Sequence, residues 1–413
     1  MLLAKLLNRA IRKGTLNVID AGGKTHCFVG TPSPEVTVRL YNRALEYRLY
    51  INPDLAMGEA YMDGTLTIEQ GSLRAFFQIV ADAETSAGAD PLYRLRDRLW
   101  RATRGWQQRN AQARSRRNVA HHYDLPDALY DMFLDRDKQY SCGYFEHPDD
   151  DLETAQAAKK RHLATKLLLT PGQRVLDIGS GWGGLAQYLA DAAGVKVTGL
   201  TLSQAQWAQS VERAGTNPDL QFHMRDYREE TGTYDRIVSV GMFEHVGIGN
   251  YERFFETVRD LLSDDGIAVI HTIGRQSGPG STSPWIRKYI FPGGYSPALS
   301  EIMAALEKAG LWLADVEALR LHYAYTLRAW QKRFARRRGQ IAAMMDERFC
   351  RMWEYYLAAS EAAFLYGDHL VFQLQLSKTR DAVPMTRGYR GYMEPHEQLI
   401  RLSEASVDAR RIV

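Results

Sequence analysis

Residues 174–184 read Arg-Val-Leu-Asp-Ile-Gly-Ser-Gly-Trp-Gly-Gly, an apolar strand running straight into a glycine turn that opens a helix. Glycine at 179, 181 and 183 removes the Cβ atoms that would hold a ligand away from the backbone. Amides at the start of the following helix face the hollow so formed. The pattern predicts a site for something polar and nucleoside-like.

Turns of this kind serve dinucleotides and S-adenosylmethionine alike, and some mark only close packing of helix on strand. A dinucleotide unit carries an acid about 20 residues on, at the end of the second strand, for the ribose hydroxyls. Here the second strand, 195–200, ends in Gly199-Leu200-Thr201-Leu202-Ser203-Gln204-Ala205-Gln206, with no acid. Hydroxyls and an amide must do that work.

Outward from the turn, strand and helix alternate from Thr170 onward, the mark of a parallel sheet covered on both faces. The successive strands are 174–178, 195–200, 221–224, 236–240 and 266–272. A final antiparallel pair is expected at 312–319 and 370–376. Chemistry gathers at strand ends in such a sheet. The fourth delivers Gly241-Met242-Phe243-Glu244-His245-Val246-Gly247 and the fifth His271-Thr272-Ile273-Gly274. Alone, a Glu or His there is a solvated or capping residue. Two converging on one pocket point to a site.

Before residue 120 the pattern differs: 15–30 and 35–50 read as strand-rich, and helical signals begin at Asp54. A hinge at Ser86-Ala87-Gly88-Ala89-Asp90-Pro91 precedes an arginine-rich helix. The expected domains are 1–93, a basic helical linker 94–120, 121–380 and a mobile extension 381–413. With 413 residues, 45% hydrophobic and 24% charged, the chain reads as globular, and no run approaches membrane-spanning length. Lys5 and Arg9 interrupt the apolar residues of the N-terminus, so no secretory signal is expected there. Cys27, Cys142 and Cys350 have the spacing of neither a disulfide framework nor a zinc site, so a reducing, cytoplasmic setting and no metal are expected.

Net charge is only +3, but it is unevenly spread. Residues 1–13 form an amphipathic helix with Lys5, Arg9, Arg12 and Lys13 and no acid. A second run holds Arg94, Arg96, Arg98, Arg101, Arg104, Arg114, Arg116 and Arg117 among Trp100 and Trp106. A third is Lys332-Arg333 with Arg336-Arg337-Arg338. Each alone reads as a solvated helix face; together they lean towards an anionic surface, phospholipid or nucleic acid.

The chain resembles the cyclopropane fatty acid synthase and mycolic acid cyclopropane synthase family of S-adenosylmethionine-dependent methyltransferases. The resemblance is carried in order by His122-Tyr123-Asp124-Leu125, Tyr140-Ser141-Cys142-Gly143-Tyr144-Phe145, residues 175–184, 199–206, Asp226-Tyr227-Arg228, Phe243-Glu244-His245-Val246-Gly247, His271-Thr272-Ile273-Gly274, Tyr323 and Thr326-Leu327-Arg328-Ala329-Trp330. Gly58-Glu59-Ala60-Tyr61-Met62-Asp63-Gly64 resembles the extra N-terminal domain of the branch that modifies phospholipids. The implied fold is α/β: a Rossmann-like class I methyltransferase with a mostly parallel seven-stranded sheet, plus a smaller α+β lipid-associated domain at 1–93.

The implied reaction is methylene transfer to a cis double bond of a phospholipid acyl chain. The alkene takes the sulfonium methyl, a carbocation forms, and bound bicarbonate removes the proton as the ring closes. By position, Glu244, His271 and Tyr323 hold the bicarbonate through side chains and Cys142 and Ile273 through backbone. Tyr140 and Ser141 meet the methionine end of the cofactor, Gly179, Gly181 and Gly183 pass beneath it, Thr201, Leu202, Ser203 and Gln206 meet the ribose, and Asp226 and Tyr227 the adenine. An anionic Glu244 beside bicarbonate is repulsive, so its pKa is expected to be raised. The resemblance further implies peripheral contact with the inner face of the membrane, no nucleic-acid partner and a homodimer as an option. Two alternatives stay open: methyl branching with the same cofactor, and a non-catalytic lipid- or nucleic-acid-binding protein on a vestigial cofactor fold.

Overall fold

The structure, a computed structural model, describes residues 4–87 and 125–390. In chain order it begins with α1 (Ala4–Ala10), β1 (Thr15–Ile19), β2 (Thr25–Val29), β3 (Glu35–Leu40), α2 (Arg43–Ile51), α3 (Pro53–Met62), β4 (Leu66–Gln70) and α4 (Leu73–Ala87). Next come α5 (Asp127–Phe133), α6 (Leu152–Leu167), β5 (Arg174–Ile178), α7 (Gly184–Ala193), β6 (Lys196–Thr201), α8 (Gln204–Ala214), β7 (Leu220–Met224), β8 (Tyr234–Val240) and α9 (Tyr251–Leu261). The rest is β9 (Leu262–Arg275), α10 (Pro284–Tyr289), α11 (Leu299–Ala309), β10 (Trp312–Leu319), α12 (His322–Met344), α13 (Glu347–Leu365) and β11 (His369–Ser377). The arginine-rich linker, the His122-Tyr123-Asp124 segment and 391–413 lie outside the described residues.

The chain packs into two compact units. One comprises 108–280, 293–323 and 369–413; the other comprises 1–107, 281–292 and 324–368. The second unit thus draws on segments far apart in sequence.

In the first unit the seven expected strands form one sheet, ordered β10-β11-β9-β8-β5-β6-β7, with β11 antiparallel to both its neighbours. Alternate residues of a strand face opposite sides, and here both sides are covered. Leu176, Ile237 and Ile270 pack with Phe254 and Phe255 of α9 and Ile302 and Leu306 of α11. Val175, Val238 and Val269 pack with Leu185 and Leu189 of α7 and Leu163 and Leu167 of α6. Such strands read as continuous apolar runs for this reason. Strand order reverses at β5, so the carboxyl ends of β5, β6 and β8 flank a topological switch point. The register sets Ile178 beside Leu200 and Ser239, and Val240 beside His271.

The start of the tail departs from expectation. Ala382 and Tyr389 are buried against Leu168 and Ile267, the Tyr389 hydroxyl donates to Gln375 Oε1 at 2.7 Å, and Arg387 pairs with Asp315 at 2.5 Å. Residues 382–389 are docked chain, not a mobile extension.

In the second unit a four-stranded sheet, ordered β2-β1-β3-β4, carries the core of the described residues before 88. The strand-rich reading of 35–50 holds only to Leu40, because the Asn42 side chain accepts the Ala44 amide at 2.8 Å and caps α2. The helix expected over 1–13 is shorter. Leu7 and Ile11 pack into this unit's own core, while Arg9, Arg12 and Lys13 are exposed, Lys13 paired with Asp82 at 3.0 Å. In the third basic cluster Arg338 is taken up by Glu347 and Glu354, at 2.8 and 2.6 Å.

The 58–64 motif is explained by packing. A Cβ on Gly58 would lie 2.3 Å from the Trp285 ring, whose Nε1 donates to the Met62 sulfur. Glu59 is gripped by Arg48, Lys288 and Tyr289, and Asp63 pairs with Arg348. Tyr355 of α13 packs against Phe77, Tyr61 and Trp285.

Candidate active site

The glycine turn sits at the switch point. Gly179, Gly181 and Gly183 all have φ between 55° and 85°, backbone that favours glycine. The amides of Gly179 and Ser180 both donate to the Leu200 carbonyl, and the Ser180 hydroxyl does the same, closing the turn onto β6. The three glycines differ in surroundings. Added Cβ atoms at 179 and 183 would strike Met242 and Phe222, whereas one at 181 would meet nothing within 4 Å. Only Gly181 borders open space. A Cβ on Gly184 would lie 2.4 Å from the Asp137 carboxylate, a group neutralised by Lys160 and Arg213.

The segment holding Tyr140, Ser141 and Cys142 is fastened to α6. Gln156 donates to the Gln139 and Ser141 carbonyls at 3.2 and 2.9 Å, and the Lys159 ammonium to Gln139 Oε1 and Ser141 Oγ at 2.5 and 3.0 Å. Tyr140 lies edge-on to Tyr130, which also contacts Trp182 of the glycine turn. Ser141 stands beside Gly241 at the end of β8, and the Gly241 amide donates to the His271 carbonyl at 2.9 Å. The buried Cys142 thiol donates to the Gly143 carbonyl.

At the end of β6, Thr201, Ser203 and Gln206 are buried and bonded to one another: Thr201 Oγ1 donates to Gln206 Oε1, and Ser203 caps α8 by accepting the Gln206 amide. Leu202, between them, is half-buried. The Arg225 amide donates to the Thr201 carbonyl at 3.1 Å, setting Asp226 one residue from that end. The Asp226 carboxylate is occupied by Arg228, at 2.8 and 2.6 Å. Tyr227 is buried edge-on to Phe254, and burial pushes its hydroxyl pKa up.

Glu244, in a short 3-10 turn after β8, is buried; its Oε1 accepts the Ile273 amide at 2.7 Å. Its Oε2 is buried with no hydrogen-bond partner among the described residues. Burial pushes this carboxyl up to about 7, against the Ile273 amide, which pulls it down. The direction is the expected one; the cause is desolvation. His271 is buried in β9, directly opposite Gln373 of β11, whose side-chain amide is 3.1 Å from His271 Nδ1. Burial, then the charges of Lys159 and Lys166, hold its pKa well below the ordinary value, so the ring is neutral. Tyr323 is buried at the start of α12. Its neighbour His322 accepts the Phe145 amide at 3.0 Å, joining this end of α12 to the 140–145 segment.

Two residues went unnoticed in the sequence. Asp177, inside the stretch that decides the fold, is buried with Oδ2 unpartnered among the described residues, and burial raises it to about 7. An acid closing an apolar strand was the available signal. Lys159 is fully buried, and burial lowers it to about 8 although the Asp135 charge opposes this. Nothing in sequence separates such a lysine from one on a solvated helix face.

A sheet of this order, with one reversed strand near its edge and a glycine turn at its switch point, is that of the class I S-adenosylmethionine-dependent methyltransferases. Residues 110–374 match the mycolic acid cyclopropane synthetase family. Cyclopropane-fatty-acyl-phospholipid synthase of Escherichia coli strain K12 is 38% identical over 348 residues, 84% of this chain and 89% of that protein. Tuberculostearic acid methyltransferase UfaA1 of Mycobacterium tuberculosis is 34% identical over 390 residues, 90% of each chain. Mycolic acid cyclopropane synthase CmaA1, solved in complex with SAH and CTAB, superposes with a TM-score of 0.60 at 32% identity, covering 63% of this chain and 97% of that one. The chain belongs to the mycolic acid cyclopropane synthetase family and is an S-adenosylmethionine-dependent methyltransferase.

Proposed function

We propose that this enzyme transfers a methylene group from S-adenosylmethionine to the cis double bond of an unsaturated acyl chain in a membrane phospholipid, closing a cyclopropane ring. The observation that carries the reading is Glu244: a buried carboxyl near neutrality with one oxygen open, bonded to the strand that bears His271.

The cofactor fits the residues present. Gly181 faces open space and Asp177 keeps a buried acceptor for a cationic ligand. Tyr140, Ser141, Gly179, Gly181 and Gly183 would hold its methionine part, Thr201, Leu202, Ser203 and Gln206 the ribose, and Asp226 and Tyr227 the adenine. When bound, S-adenosylmethionine supplies an electrophilic methyl group to the alkene, leaving the acyl chain as a carbocation that must lose a proton. Bicarbonate would supply the proton acceptor. His271 and Tyr323 would donate hydrogen bonds to that anion and a protonated Glu244 would share its own proton with it. The Ile273 amide is engaged by Glu244, so its part in the holding runs through that side chain, with the Cys142 backbone on the other flank.

Residues 1–93 would serve as the lipid-associated domain, 94–120 as a basic linker to the catalytic residues 121–380, with 381–413 as an extension. No helix among the described residues is long and apolar enough to cross a membrane; the contact proposed is peripheral, at the inner face. A second reading, methyl branching, is favoured by the likeness to the tuberculostearic acid enzyme over 90% of both chains.

Mass spectrometry of lipids from a host expressing the chain tests both. Gain of CH₂ with the double bond lost and a ring present supports ring closure; a methyl branch supports the second reading; unaltered lipids overturn both. Turnover in degassed buffer with and without restored bicarbonate tests the base. Full activity without it, together with an inactive Glu244→Gln protein, would make Glu244 the direct base.

A further inference from the structure

The side chains behind His271 form a chain of donors and acceptors that permits one arrangement of protons. Gln373 reaches His271 Nδ1 with one end of its amide, at 3.1 Å, and the Lys166 ammonium with the other, at 2.5 Å. An ammonium has three donors and no acceptor, so the amide atom facing Lys166 must be the oxygen. The amide NH₂ therefore faces His271. An NH₂ group only donates here, so Nδ1 must present its lone pair. A neutral imidazole then carries its proton on Nε2.

We propose that Gln373 and Lys166 are positioning residues that lock His271 as the Nε2–H tautomer, leaving Nε2–H as the ring's single donor for the anion. The inference rests on the proposed role of His271 as a donor in this site.

Lys166 is itself fixed. Its ammonium pairs with Glu317, which also takes His162 Nε2 at 2.7 Å. Although burial pushes the Glu317 carboxyl up, His162 and Lys166 outweigh it and hold that group at about 2, so it stays charged opposite the ammonium. The backbone is clamped as well: Gln375, two residues along β11 and so on the same face as Gln373, donates to the Lys166 carbonyl at 2.6 Å. Lys166, Gln373 and His271 are all buried, at 1%, 1% and 2% exposure, so water is not at hand to replace a lost partner. Turning the Gln373 amide over would set two donors face to face and leave the Nδ1 lone pair against a carbonyl oxygen.

The experiment is long-range proton–nitrogen correlation on the full chain labelled with ¹⁵N-histidine, with His271 assigned by the signals that His271→Gln removes. In the wild type, His271 Nδ1 should resonate as an unprotonated and Nε2 as a protonated nitrogen. A protonated Nδ1 overturns the lock without recourse to any other variant. In Gln373→Glu the carboxylate accepts from both neighbours, so the proton should move to Nδ1, turnover should fall by about tenfold or more, and S-adenosylmethionine affinity should stay within about twofold. In Lys166→Met the amide is freed and both tautomers should appear. A Gln373→Glu protein that keeps the wild-type tautomer overturns the proposal. A reversed tautomer with unaltered turnover supports the lock and overturns instead the reading of His271 as the anion's donor.

Discussion

A Cβ placed on Gly181 would meet no atom within 4 Å, whereas one placed on Gly58 would lie 2.3 Å from the Trp285 ring. The same contrast holds for acids. Asp177 and Glu244, in the unit with the seven-stranded sheet, each keep a buried oxygen without a partner among the described residues. In the other unit Glu59 binds Arg48, Lys288 and Tyr289, and the buried Glu361 binds Arg74, Arg328 and Gln331. A buried polar group left open costs stability, and a fold keeps that cost where a ligand will meet it. Gly181, Asp177 and Glu244 are thus kept for what they leave open, and Gly58, Glu59 and Glu361 for what they fill.

The largest effect expected from this contrast is on cofactor affinity. Gly181→Val puts a branched side chain into the open space and, at φ of 55°, adds backbone strain of roughly 1–2 kcal/mol. The protein should fold, since the added Cβ strikes no atom, yet show no S-adenosylmethionine binding by calorimetry. Undiminished affinity in folded Gly181→Val would place the cofactor elsewhere.

Next in size is turnover. Glu244→Gln keeps the shape and the bond from Ile273 but removes the titrating proton, and should lower turnover by roughly 10²–10⁴ with cofactor affinity nearly unaltered. Thermal stability should not fall, because a neutral amide suits a buried position better than a carboxylate does. Activity near the wild-type level would strip Glu244 of its role.

Gly58→Ala tests the filled side. Overpacking against Trp285 should cost about 1–3 kcal/mol and leave cofactor affinity unaltered. Weakened affinity with intact stability would erase the distinction between the units.

Much of this was legible because it is local. Strands buried on both faces announce themselves as apolar runs, and the glycine turn needs only its own residues to be recognised; all seven strands of the large sheet lie where alternation put them. The error over 35–50 came from one cap, Asn42, which turns an apolar stretch from strand to helix. The misread start of the tail came from Tyr389, whose partner Gln375 is reached only through the fold. Gln373 and Lys166 carry no local mark at all: they are 207 residues apart, and what matters is that α6 and β11 bring them together in the dry.

Stability against pH examines Asp177. Its carboxyl sits at about 7 in the fold against an ordinary 3.8, because burial penalises the charge more than Lys159 favours it. The folded protein therefore holds this proton more tightly than the unfolded chain. Its contribution is fully present below about pH 4 and is lost as pH rises through about 7. Without cofactor, Asp177→Asn should melt above the wild type at pH 8, by roughly 2–4 °C per kcal/mol recovered, and the gain should shrink to nothing near pH 4. Added S-adenosylmethionine should reverse the ranking at pH 8, since its positive charge stabilises the carboxylate and finds no charge on the amide. Parallel melting curves for the two proteins across pH, with and without cofactor, would mean that the open oxygen of Asp177 is neither a buried charge nor an acceptor for a ligand.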